Sequence, residues 1–342
     1  MARRFVDTCG DVYSVAIGSL GLWSVYGGSP PPGVVSGISG ATGNCIQVSQ
    51  FGNGAIKKPI GFTSSEVIHG VRLQWNTLPG YSNTGWGMLD TAQAQVFFVA
   101  CTTSGALEVY DHNNTLVGTS ATGVVVAGVW NYYEFHVVQS ATVGSIEVKQ
   151  AGDVILTLTG LNTSADQIAY ISGGVNGTVY CDDIYINDTT GAYSNTYDGD
   201  QSLYFVTGEA LGTVDEWSYS GGASAWQSVN TITPETNTDY ISAPPTGLPL
   251  TERVSSFTLP GTASTILCVS PVYCGNNDSG GGSTINSVLH SGAGDASGTS
   301  IAFTTSEQMF IPDHYSLSPL TGIAWTPTEI ETQLELGVKR TA

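Results

Sequence analysis

Residues 178–188 read TVYCDDIYIND, strand-like text with two adjacent acids at its centre. Along a strand successive side chains alternate between faces. Tyr180, Ile184 and Ile186 therefore share one parity, and Cys181, Asp183 and Tyr185 the other. That places an acid on each face, which a plain half-buried strand does not tolerate. Three roles fit such a pair: chemistry, an ion, or the seam at which a domain closes. Just upstream, Asn176-Gly177 offers the two positive-φ residues of a type I′ hairpin turn, as does Asn53-Gly54, so the stretch is expected to pair with the strand preceding that turn.

Outward from this point the pattern stays extended. Residues 105–160 form a train of hairpins: ALEVY-DHNN-TLVGTS, WNYYEFHVVQ and GSIEVKQ-AGD-VILTLTG, with polar turns between alternating apolar runs. Trp130, Tyr133 and Phe135 are assigned to a core. The chain holds 43 glycines and only 11% charged residues in 342, a composition of short strands and tight turns rather than of helices. Its length suits two domains. The Gly-, Asn- and Asp-rich run TTGAYSNTYDGD reads as their connection, giving a first domain over 1–190 and a second over 191–342.

The second half repeats the β pattern in SLYFVTG, RVSSFTLPG, STILCVSPVY, SVLHSG and SIAFTTS, with GNNDSGGGS as a loop tip. One short helix is expected in WTPTEIETQLELGV: Thr326 caps it, Pro327 opens its first turn, Glu329 completes a capping box, and Gly337 stops it. The fold class is all-β, two β-sandwich domains with one short C-terminal helix.

Nine basic residues against 28 acidic ones, a formal charge of −19, repel a phosphate backbone, so nucleic acid is excluded as a partner. No run of about 18 apolar residues offers a membrane span, and Asp7 and Asp11 interrupt any signal-peptide core. Six cysteines are thinly spread and read mainly as buried thiols. Cys268 and Cys274, flanking a bend expected at Pro271, are the candidate disulfide.

Few residues point to chemistry. Five scattered histidines make no zinc pattern, and neither a nucleophile elbow nor a phosphate loop is present. Glycoside hydrolysis needs two carboxylates across one bond. The candidates, Asp182/Asp183 and Asp215/Glu216, are strand neighbours that face opposite ways. No cofactor is called for, although Asp182 and Asp183 are candidate calcium ligands beside their structural role, and Asp198 with Asp200 offers a weaker ion site. In NTLPGYSNTGWGMLD, Tyr81 and Trp86 lie in loop-like text, where an aromatic is a candidate glycan contact.

The run WNYYEFHVVQ … GSIEVKQAGDVILTLTGLNT … TVYCDDIYIND resembles the laminin-G or concanavalin-A-like jelly-roll domains found in tailed-phage virion proteins. The stretch from DEWSYSGGASAWQSVNTITPETNTDYISA to HYSLSPLTGIAWTPTEIETQLELGVKR is similar to a tail-end module of phage structural proteins. The resemblance implies a non-enzymatic virion component, a tail fibre or tail-associated appendage meeting the host surface, with a capsid or neck decoration protein as the alternative. It further implies that DDIYI closes the sandwich. Expected partners are other virion proteins, a host-surface glycan and copies of the chain itself, as a trimer. Synthesis in the host cytoplasm and release by lysis would follow.

Overall fold

The acids of TVYCDDIYIND sit at a β-bulge. In the pairing of this strand with residues 66–75, Asp182 stands opposite Arg72 and Tyr185 opposite Gly70, so two residues, Asp183 and Ile184, face the single Val71. Asp183 carries the surplus in a left-handed conformation, φ 50°, one that aspartate adopts more readily than most L-residues. The extra residue inverts the parity. Tyr180, Asp182, Tyr185 and Asn187 thus fall on the outer face, and Cys181, Ile184 and Ile186 on the inner. An acid on each face of an unbroken strand was the expectation; the bulge removes the conflict.

The structure, a computed structural model, describes residues 3–7, 24–26, 33–36, 38, 45–48, 55–78, 85–174, 178–190, 194–229, 239–244, 249–261, 265–277, 283–292, 294–306 and 308–341. It divides into two units, Met1–Tyr204 and Phe205–Ala342. The first contains β1 Arg3–Asp7, β2 Ser24–Tyr26, β3 Gly33–Val35, β4 Cys45–Val48 and β5 Ala55–Ser64. Next come β6 Glu66–Trp75, β7 Gly85–Asp90, β8 Gln95–Cys101, β9 Leu107–Tyr110 and β10 Leu116–Thr119. It ends with β11 Asn131–Val138, β12 Gly144–Gln150, β13 Asp153–Leu161, β14 Ile168–Gly174 and β15 Val179–Asp188.

These strands form two antiparallel sheets. An eight-stranded sheet runs β13-β12-β11-β6-β15-β4-β3 with β1 also on β15, and a seven-stranded sheet runs β10-β9-β8-β7-β14-β5-β2. The inner faces meet through Phe97 and Phe135, ring centroids 5.4 Å apart, with Trp75, Tyr133, Ile46 and Leu73 fully buried around them. Trp130 is only half-buried and lies against Tyr180 instead.

The expected hairpins β9–β10 and β12–β13 are present. The turn of the latter is Ala151-Gly152, both at positive φ, 50° and 90°, as a two-residue hairpin turn requires. Neither Asn-Gly pair joins neighbouring strands of one sheet: β14 and β15 lie in opposite sheets, as do β4 and β5. The two dipeptides themselves, like GISGATG, fall outside the described residues except for Ile38.

One close approach fixes β6 against β15. A Cβ on Gly70 would lie 2.1 Å from a ring carbon of Tyr185 and 2.7 Å from Tyr132 Oη, and both rings are held by packing. Gly70→Ala should therefore lower the stability of the chain by about 1–3 kcal/mol, read as a shift in the urea midpoint; an unchanged midpoint would contradict this packing.

The second unit contains β16 Gly208–Asp215, β17 Ser218–Ser220, β18 Tyr240–Ser242, β19 Leu250–Phe257 and β20 Tyr273–Gly275. It continues with β21 Ser283–Ser291, β22 Gly294–Phe303, β23 Gln308–Phe310, α1 Pro327–Thr332 and β24 Glu335–Arg340. A five-stranded sheet, β16-β19-β24-β21-β22, is accompanied by the ribbons β17-β18 and β20-β23. SLYFVTG does not form a strand; β16 begins only at its last residue, Gly208. STILCVSPVY supplies two isolated bridges and the start of β20.

The helix starts at the expected cap, with Thr326 Oγ1 accepting from Glu329 N at 3.1 Å, but Glu329 Oε1 is buried without a hydrogen-bond partner among the described residues. It stops at Thr332, five residues before the expected Gly337. Gly337 belongs to β24, where a Cβ would come within 2.3 Å of Glu252 O, so this glycine permits strand contact rather than ending a helix.

Candidate functional site

The first unit extends past position 190 because the following segment is tied across the outer face of the eight-stranded sheet. Asp183 anchors it from below: Oδ2 lies 3.3 Å from Arg72 Nε, and Oδ1 accepts from Leu203 N at 2.8 Å. Arg72 also donates to Asp200 Oδ1 at 2.7 Å and to Gln201 O at 3.1 Å. Asn187 Nδ2 donates to Asp198 Oδ2 at 2.6 Å and to Thr196 O at 3.1 Å. Gly199 N donates to Glu134 Oε1 at 2.8 Å, which also accepts from the Tyr185 hydroxyl.

Aromatic contacts complete the strap. The Lys149 ammonium sits 3.6 Å from the centroid of Tyr197, whose hydroxyl donates to Glu147 Oε1 at 2.7 Å. Tyr197 and Leu203 pack on Ile68, Tyr132 and Tyr185. Burial and the adjoining Glu134 carboxylate push the Tyr185 phenol far up, so it remains a donor. The domain divide at Tyr204 instead of 190 is the consequence: polar turn-like text is bound to the first unit by buried charge.

The calcium role considered for Asp182 and Asp183 gives way to this ion pair. Both residues are fully buried, the Asp183 carboxylate is engaged by a guanidinium, and Asp182 Oδ1 accepts from Asp183 N at 2.9 Å. Asp198 and Asp200 take separate partners, Asn187 and Arg72. Among the described residues no group of three or more His, Cys, Asp or Glu is arranged to hold a metal ion.

The glycan role considered for Trp86 is corrected by its burial. Trp86 lies on β7, fully enclosed between the sheets, and its indole N–H donates to His69 Nε2 at 2.6 Å. No ligand in solvent reaches it. Tyr81 lies outside the described residues. His69 is itself fully buried, with Nδ1 3.1 Å from Tyr185 O. Accepting at Nε2 and facing a carbonyl at Nδ1, the ring must carry its single proton on Nδ1. Burial lowers its pKa to about 4, against a smaller opposing effect of the Tyr185 carbonyl.

The outer face of the seven-stranded sheet holds residues that the sequence reading passed over. Register aligns Tyr110, Phe98, Gly87, Ser172 and Lys57 in one row across β9, β8, β7, β14 and β5. Four strand spacings make this row about 19 Å long. Phe98 and Tyr110, ring centroids 6.3 Å apart, are half-buried at one end, and Tyr110 donates to Glu108 Oε2 at 2.7 Å. At the other end the Lys57 ammonium lies 5.3 Å from the centroid of half-buried Tyr170. The next row runs from Glu108 through Ala100 and Gly85 to Gly174. Gly85, Gly87 and Ala100 are buried, with the Phe98 ring 3.0 Å from where a Cβ on Gly85 would stand, so the accessible part of this face is its aromatic, polar and charged side chains. Alternation within FFVA and LEVY allowed this face to be found once their inward parity was known.

In the second unit no bridge joins Cys268 to Cys274. Val269 pairs with Tyr315, and Cys274 with Met309, in the same antiparallel sense. The segment between them therefore runs extended, where a disulfide needs Cα atoms within about 7 Å. Instead the Cys268 sulfur lies 3.5 Å from Ser270 Oγ, which is 2.8 Å from His314 Nδ1. Asp215 and Glu216 do not converge on a cleft: Glu216 Oε2 accepts from Thr251 N at 2.6 Å, and Asp215 faces Glu252 across the ladder.

No protein-family model matches the chain, and no curated protein matches it. Among solved structures, a sialidase overlaps 55% of this chain and 18% of its own length, at 13% identity and TM-score 0.39. The carbohydrate-binding module CBM66 from Bacillus subtilis overlaps 51% of this chain and all of its own, at 8% identity and TM-score 0.38. Domain 4 of AbnA, an extracellular arabinanase from Geobacillus stearothermophilus in complex with arabinotriose, overlaps 55% of this chain and 94% of its own, at 14% identity and TM-score 0.37. At these scores no functional statement rests on the overlaps; the all-β assignment rests on the sheets themselves.

Proposed function

We propose that this protein is a non-catalytic carbohydrate-recognition component, with the outer face of the seven-stranded sheet as the surface that meets the glycan. The observation carrying this reading is the row from Tyr110 and Phe98 across Gly87 to Ser172 and Lys57. Aromatic rings offer stacking faces to sugar C–H groups, while Ser172, Lys57 and Glu108 supply hydrogen-bonding groups on the same face. In keeping with the sequence resemblance, the assembly carrying it is a tailed-phage particle and the position a tail fibre or tail-associated appendage, with the chain present as a trimer beside other virion proteins.

Binding of the full chain to isolated host envelopes and to an array of bacterial surface glycans tests the recognition role. Changing both Phe98 and Tyr110 to Ala should weaken binding about tenfold or more, since aromatic contacts contribute roughly 1 kcal/mol each. Undiminished binding by a folded double variant would discard this face, and an absence of binding by the parent protein would discard the function. Antibody labelling of purified particles addresses position, with signal away from the tail counting against an appendage.

A further inference from the structure

We propose that Asp215 and Glu252 form a proton-operated latch that holds the bend between β16 and β17 against β19. The two residues stand directly opposite each other across the β16–β19 ladder, a pairing that destabilises a sheet when both carboxyl groups are ionised. Their surroundings differ. Asp215 is exposed, whereas Glu252 is almost completely buried.

Glu252 also lies directly across from Val338 of β24, which belongs to an apolar cluster with Ile285 and Ile301, against which Trp217, Ile241 and Phe303 pack. Glu252 Oε2 accepts from Glu216 N and Trp217 N, both at 3.0 Å, and so fixes the bend. Its Oε1 is buried and receives no hydrogen bond from the described residues. That is the place for a proton shared with Asp215, because an ionised Oε1 would face both an apolar wall and a second carboxylate.

The other charged groups nearby are committed elsewhere. From the bend, Glu216 accepts from Thr251 N. Arg253, next along β19, points to the other face and meets Asp295 at 2.7 Å and Glu335 at 3.5 Å. From β24, Lys339 stands opposite Thr251 on that other face. Arg340, on the face of Glu252 but two residues along, donates to Pro244 O at 2.8 Å. On α1, Glu331 accepts from Leu259 N beyond the far end of β19, and Glu329 is buried on the same helix.

Burial is the largest cause raising Glu252 from 4.5 to about 7, with Asp215 adding to it and the two backbone donors opposing. A carboxyl raised in the closed form favours closure while protonated. The latch is therefore fully closed below pH 4.5, loosens tenfold per pH unit up to about 7, and changes no further above that. Opening frees Trp217 and uncovers the apolar cluster behind it, so exposure of that apolar surface becomes more frequent as the pH rises from acid to neutral.

Hydrogen exchange of the full chain, read by mass spectrometry and corrected for the intrinsic rate at each pH, tests this at the Glu216 and Trp217 amides. Their protection should fall tenfold per unit between pH 4.5 and 7 in the parent protein and be independent of pH in Glu252→Gln. Asp215→Asn keeps the buried carboxyl and removes the like charge, so its window should move to lower pH. Flat protection in the parent, the parent's slope retained in Glu252→Gln, or an unmoved window in Asp215→Asn would each overturn the latch.

Discussion

Replacing Asp183 by Ala should lower the stability of the first unit by roughly 4 kcal/mol, one of the two largest effects expected for this protein. Two terms add. Removing one member of a buried ion pair costs about 3–5 kcal/mol, because the other is left uncompensated. Arg72 keeps Asp200 as a partner, so the lower end applies, and Asp200 is too exposed to substitute fully for a buried carboxylate. The second term is backbone strain: Ala at the φ of 50° held by Asp183 costs about 1–2 kcal/mol.

Three variants separate the terms. Asp183→Gly relieves the strain but loses the charge, and should be more stable than Asp183→Ala by about 1 kcal/mol. Asp183→Asn retains an acceptor for Leu203 N and tolerates the left-handed conformation, so it should show the loss of charge alone. Thermal melting is a sufficient readout, since the Ala variant should melt roughly 10 °C lower. An unaltered melting temperature would mean that neither the bulge nor the strap depends on this carboxylate.

Why the sequence announced the strand but not the bulge follows from the same residue. Alternation reports which side chains share a face only while the ladder is unbroken. One surplus residue inverts the pattern, and the sole trace was the acid left on the wrong parity. The hairpins β9–β10 and β12–β13 were legible because their strands pair with the next strand in the chain. The Asn-Gly pairs lie outside the described residues, and the strands on either side of each enter opposite sheets; local text does not say which sheet the chain enters next.

The candidate site was less legible for a related reason. Trp86 in Gly-rich text reads as a loop aromatic, yet each flanking glycine, Gly85 and Gly87, lies where a Cβ would meet the carbonyl of a β8 residue. Those glycines allow strands to approach closely and leave Trp86 in the core. In the same way YDGDQS looks like a connection by composition, and becomes part of a domain only because Arg72, Glu134 and Asn187, distant in sequence, present partners for it. The Tyr110–Phe98–Gly87–Ser172–Lys57 row draws on five strands, and no single segment of text contains it.

His69 carries the other large expectation, a dependence of stability on pH. Its folded pKa of about 4 lies below the ordinary value of 6.5, so the unfolded chain binds the proton more readily. The stabilisation from keeping the ring neutral is fully present above pH 6.5, declines as the pH falls, and is exhausted near pH 4. A separation of this size corresponds to about 3 kcal/mol. Protonation also has a structural consequence: Nε2 would become a second donor facing the Trp86 indole N–H that now donates to it, so the link between the sheets at this point would break. Following the ring resonances of His69 by NMR in the full chain should give no titration near 6.5, with the Trp86 indole proton remaining protected until the pH approaches 4. In urea, the resistance of the first unit to unfolding should weaken as the pH falls over the same interval, and that of His69→Gln, less stable at neutral pH, should weaken less. An imidazole titrating near 6.5, or an indole proton exchanging freely at neutral pH, would remove His69 and Trp86 from the closed interior to which their mutual hydrogen bond assigns them.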